Sequence, residues 1–281
     1  MGKKVAVAVI HGVGKRTPEF AEHFINGVQE RCWQTCDNDI VVRTVDWSYV
    51  LQDEEDLLWR KLRGLDLHYR DLRSFLINFV ADAAAYQITA RDQRIYNKIH
   101  FSFADVMRQL AHEAEEDAPL CVVSHSLGTV IASNYLWDLQ HLHEAGSQLS
   151  PDLRELMDDS PLVSGETLTL FYTLGSPLAL WSLRYEDFGV PIEVPSPRLF
   201  DYHPHLGGEW INFYDKDDVI AYPLRTLNSQ YAQAVQEDRQ INVGGLLESW
   251  NPLSHLNYWT DKEVLDHISD ALMNVWKIIN A

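Results

Sequence analysis

The sequence predicts an α/β protein built on one mostly parallel sheet of about six strands, with helices on both faces and a helical insertion. Three observations predict it. Short apolar, β-branched runs end at glycine or polar turns, as buried strands do. Between them, apolar residues recur every three to four positions, which gives a helix one core-facing side. The two patterns alternate, and strand, helix, strand at this spacing implies parallel βαβ units.

Taken in order, Lys4 to Ile10 reads as a buried strand. Thr17 and Pro18 then open a helix as cap and first residue, with Phe20, Phe24, Val28 and Cys32 on its core face. Ile40 to Val45 is the second strand. Residues 48–90 break the rhythm and form the insertion, helix-like and rich in Trp59, Leu62, Phe75, Phe79 and Tyr86. Helix resumes from about Arg91, with Ile95, Ile99, Phe103, Val106 and Leu110 on one side. Pro119 to Val123 is the next strand, followed at once by a helix from Leu127 to Gln140. Thr167 to Leu174 and Trp210 to Tyr214 read as strands, and Ile241 to Val243 as a short last one. Thr260 to Glu263 matches a capping box before a final helix faced by Val264, Ile268, Leu272, Val275 and Ile279.

The chain has 281 residues and no Pro/Gly/Ser-rich linker, so a single domain is expected. Its 46% hydrophobic and 23% charged content is ordinary for a globular protein. The formal net charge of −18 repels phosphates and anionic membrane surfaces, so no nucleic-acid partner is expected. Cys32, Cys36 and Cys121 are too few, and odd in number, for a disulfide framework, and read as core residues. Val5 to Ile10 is short for the apolar core of a secretory leader, and the run Phe75 to Ala90 carries Asn78, Asp82 and Gln87. The expectation is a cytoplasmic protein with no transmembrane segment. His203 and His205, with Asp201, read as a solvated loop rather than a metal site.

The segment Cys121-Val122-Val123-Ser124-His125-Ser126-Leu127-Gly128 takes a strand straight into a helix through a tight turn. Such a turn holds its central residue strained and exposed, and needs small residues two before and two after it. Gly128 meets the second need, while Ser124 stands where glycine is usual. Ser126 then sits at a helix N-terminus, with the Leu127 amide aimed where an oxyanion would form. His125 is its neighbour, but such a turn aims adjacent side chains apart.

On these residues the chain resembles the α/β-hydrolase superfamily, on its lipase/esterase side, over nearly its whole length. The resemblance equates the first strand here with what is usually the third, so the early antiparallel strands are expected to be missing. His11-Gly12 after the first strand resembles the superfamily's oxyanion loop, which implies a second donor at Val13 or Gly12. Leu174-Gly175-Ser176-Pro177-Leu178 resembles a segment common in lipase-like members. The superfamily orders its triad as serine, acid, histidine. That order and the segment Ser254-His255-Leu256-Asn257-Tyr258-Trp259 imply His255 as base, with His267 in the last helix as structural. The acid is implied in Asp215-Lys216-Asp217-Asp218, where Val219-Ile220 after it favours Asp218, with Asp217 as alternative and Asp215 less well placed.

The resemblance implies a serine hydrolase that cleaves carboxylic esters through an acyl-enzyme, with no cofactor or metal. Its partner would be a small-molecule or lipid-like ester. Residues 48–90, apolar and placed before the nucleophile strand, read either as a cap that forms an apolar acyl pocket or as helices that cover the sheet. Thioesterase, amidase and acyltransferase chemistry use the same parts. A non-catalytic binding protein on the same fold is the alternative from another class.

Overall fold

A computed structural model describes residues 2–12, 18–32, 35–36, 38–50, 52–62, 68, 79–87, 93–144, 149–243 and 252–281, the side chains of 18–21, 52–55, 59, 252–254 and 256 excepted. The strands are β1 (Val5–Ile10), β2 (Ile40–Val45), β3 (Leu120–His125), β4 (Leu168–Leu174), β5 (Glu209–Asp215) and β6 (Glu237–Ile241). The longer helices are α1 (Pro18–Cys32), α2 (Gln52–Leu62), α3 (79–85), α4 (Arg94–Ala114), α5 (Leu127–Gln140) and α6 (Pro151–Met157). After β4 come the short α7 (Leu178–Ser182), α8 (Leu199–Tyr202) and α9 (Ser229–Ala234), then α10 (Lys262–Ile279).

The six strands form one sheet in the order β2-β1-β3-β4-β5-β6, and every pairing is parallel. Period-two alternation sends each strand's side chains to two separate cores. Ala6, Ala8 and Ile10 face one layer with Ile99, Phe103 and Leu110 of α4 and Val130 and Ile131 of α5. Val5, Val7 and Val9 face the other with Phe24 and Val28 of α1 and Ile268 and Leu272 of α10. Because both faces are covered, the central strands are mostly apolar, which is why they stood out in the sequence.

Two expectations need correction. The last strand is Glu237–Ile241, not Ile241 to Val243. It lies at the sheet edge with one neighbour, so Glu237, Asp238 and Arg239 stay half-exposed and no apolar run marks it. The cap of α10 is Asp261, whose carboxylate accepts from the Glu263 and Val264 amides at 2.9 and 3.1 Å. Thr260 ends the preceding 3₁₀ run instead, its hydroxyl donating to the Asn257 carbonyl. The helix expected from about Arg91 is described from Arg94.

Thr17, Phe75 and the side chains of Phe20 and Trp59 lie outside the described residues. Within the insertion, Leu57 and Leu58 of α2 are exposed and Leu62 is half-buried. Tyr86 is buried, with its hydroxyl 2.9 Å from His100 Nε2 and its ring stacked on Tyr96. No described helix is long and apolar enough to cross a membrane.

Candidate active site

β3 ends at His125 and α5 starts at Leu127, so Ser126 alone makes the turn. Its backbone takes φ 54° and ψ −131°, a conformation a side chain rarely adopts. The surroundings hold it there. Its amide donates to the Leu174 carbonyl at 3.0 Å, extending the β3–β4 ladder by one rung. The Thr129 hydroxyl donates to its carbonyl at 2.7 Å. That spends the Thr129 proton, so Ser176 is the donor in their 2.8 Å contact.

Close backbone approach explains the glycines. A Cβ at Gly128 would stand 2.4 Å from the His11 carbonyl oxygen, and one at Gly12 would stand 2.3 Å from the Ser126 Cβ. Ser124 is tolerated in a position where glycine is usual because its hydroxyl donates to the Tyr172 carbonyl of β4 at 2.8 Å, fully buried. Gly12 therefore lies against Ser126, and Leu127 is the first residue of α5, while Val13 lies outside the described residues. The loop after β1 is pinned by Trp47, which donates to the His11 carbonyl at 3.1 Å and stacks on its ring.

His255 stands in the 3₁₀ run Pro252–Thr260, beside the C-terminal ends of β3 and β5. Its Nε2 is 2.7 Å from Ser126 Oγ and its Nδ1 is 2.6 Å from Asp218 Oδ2. An ionised carboxylate only accepts, so Nδ1 carries the proton and Nε2 is left to accept from the serine hydroxyl. All three side chains are buried. Gly175, at φ +57°, makes room: a Cβ there would lie 3.0 Å from His255 Cε1.

Of the three acids at the end of β5 and in the turn after it, only Asp218 is seen bonded to His255. Its other oxygen accepts the Ile220 amide at 3.0 Å. Burial alone would raise its carboxyl, but the hydrogen bond and charge of His255, with the Ile220 and Tyr258 bonds, hold it below the ordinary carboxylate value. Asp217 is exposed. Asp215 is buried, but its two oxygens accept the Asp217 and Val243 amides at 2.9 and 2.7 Å, so it ties the turn to the chain after β6.

His125 points away from Ser126, as its place in the turn implied. Its Nε2 donates to the His255 carbonyl at 2.6 Å. Burial, then the neighbouring His255, push its pKa down to about 3. His267 is held between Glu209 and Arg239 on the far part of the sheet. His203 donates to the Asp117 carbonyl at 2.6 Å, and His205 is exposed. Sequence reading assigned Tyr258 no role at the site and His125 no partner. Their contacts depend on loops whose folding no periodicity encodes.

The all-parallel sheet, its strand order and the serine turn between β3 and α5 make this an α/β-hydrolase-like fold. No family model matches the sequence. No curated protein matches it. Among solved structures the chain is similar to one described as belonging to a study of two fungal esterases from Rhizomucor miehei. The identity is 9%, the alignment covers 98% of this chain and 76% of that one, and the TM-score is 0.43.

Proposed function

We propose that the chain is a serine hydrolase that cleaves carboxylic esters through an acyl-enzyme, with Ser126 as nucleophile, His255 as base and Asp218 as acid. One observation carries the reading: a continuous hydrogen-bonded chain from Ser126 Oγ through both nitrogens of His255 to Asp218, on a strained turn at a helix N-terminus. A serine hydroxyl is a weak nucleophile until a base takes its proton. Here His255 Nε2 takes it as Oγ attacks the acyl carbonyl. Asp218 fixes the tautomer and stabilises the imidazolium. The oxyanion is met by the Leu127 amide and by a second amide from the loop after β1, that of Val13 or Gly12. His255 then protonates the leaving alcohol, and water, activated the same way, releases the acid.

For the substrate we infer an apolar acyl group, met in part by the described helices of the insertion, α2 and α3. Leu57, Leu58 and Val80 give that insertion exposed apolar surface. Each buried CH₂ is worth about 0.8 kcal/mol, so two added carbons raise kcat/KM about tenfold until the pocket is full. The test is a series of p-nitrophenyl esters from acetate to decanoate below their micelle concentrations, with Ser126→Ala as control. The reading predicts a rise and then a plateau, and a loss of about 10⁴ or more in kcat for the folded alanine variant. Wild-type turnover by that variant would overturn the triad. A steady decline from acetate upward would overturn the acyl pocket alone.

A further inference from the structure

Tyr258, three positions beyond His255, is fully buried, and its hydroxyl meets the acid rather than solvent. The Asp215 amide donates to that hydroxyl at 2.9 Å. The hydroxyl oxygen is therefore occupied as an acceptor, and its own proton is directed to Asp218 Oδ2 at 3.0 Å. That is the same carboxylate oxygen that His255 Nδ1 approaches at 2.6 Å. One oxygen thus takes two donors, and Ile220 holds the other. The direction of each bond is set by the donor before it, beginning at a backbone amide that cannot reverse.

We propose that Tyr258 is a positioning residue for the triad: its hydroxyl, oriented by the Asp215 amide, fixes the Asp218 carboxylate and shares its charge with His255. This rests on the hydrolase reading above. The geometry has two consequences. First, a carboxylate held by one donor fewer can rotate away from His255, so the transition state loses support while ground-state binding of the ester does not. Second, a hydrogen bond to the charged form disperses that charge. Without it, the Asp218–His255 pair holds a proton more tightly.

The discriminating variant is Tyr258→Phe, which keeps the ring and removes only the hydroxyl. On an ester that the wild type cleaves, kcat should fall about tenfold, the order of one hydrogen bond to a charged group, with KM within about twofold. The acidic limb of kcat/KM should move to higher pH. A purely structural tyrosine would move neither the limb nor kcat alone. Unchanged kcat with an unmoved limb, in a variant of normal thermal stability, would overturn the proposal. Should Tyr258→Phe not fold, 3-fluorotyrosine placed at position 258 keeps the fold and donates more strongly. It should move the acidic limb the opposite way, and no movement would overturn the proposal. Absence of ester turnover in the wild type would instead overturn the hydrolase reading beneath it.

Discussion

Three aspartates stand within four residues at the end of β5 and in the turn after it, and only their environments tell them apart. Asp215 spends both oxygens on backbone amides, Asp217 faces solvent, and Asp218 is bonded to His255. Asp218→Asn leaves an amide where a carboxylate fixed the tautomer, so kcat should fall by about 10³ to 10⁴, while Asp217→Asn should stay within about twofold. Steady-state kinetics on both folded variants check this, and equal losses would move the acid elsewhere. Ser126 was legible because a strand, a tight turn and a helix leave a sequence signature. His255 was reached through the order of the triad. The aim of His125 away from Ser126 was read from the turn, but the role of Tyr258 was not legible, since it acts through a contact across the loop rather than through a local pattern.

At the scale of elements, β2 was legible from its β-branched run although it lies at an edge, and β1 and β3 to β5 because strands covered on both faces are mostly apolar. β6 was misplaced because an edge strand need not be. The start of α10 was misread for a related reason: Thr260, Asp261 and Glu263 offer two overlapping caps, and only geometry selects one. Asp261 accepts from two amides of the first turn, so Asp261→Ala should cost about 1 kcal/mol of stability and Thr260→Ala a few tenths at most. Urea melts of the two variants measure it, and the reverse order would restore the Thr260 cap. The approach of α5 to β1 is tighter still. A Cβ at Gly128 would lie 2.4 Å from the His11 carbonyl oxygen, a backbone atom with no side-chain freedom to yield.

For the molecule as a whole, the cluster that aligns the triad also links stability to pH. His125 is buried and neutral, with a folded pKa pushed down to about 3 against about 6.5 in the unfolded chain. The folded state therefore binds fewer protons, and this group's contribution is complete above about pH 6.5 and is lost as pH falls toward 3. The loss approaches about 1.4 kcal/mol per pH unit. Between pH 7 and pH 5 the wild type should lose about 2 kcal/mol more than His125→Gln, which does not titrate there, as read from urea melts at the two pH values. Equal losses would mean that His125 is not held neutral. The overall architecture was legible from alternation alone, whereas the side chains' convergence at the ends of β3 and β5 came from pairing and loop closure. That convergence is the central claim, and a fluorophosphonate probe tests it most directly, because it phosphonylates only a serine already activated by a base. Mass mapping should find one adduct, on Ser126, formed by the wild type and absent from folded Ser126→Ala and Asp218→Asn over the same time. An unmodified wild type, or an adduct on another residue, would contradict the account.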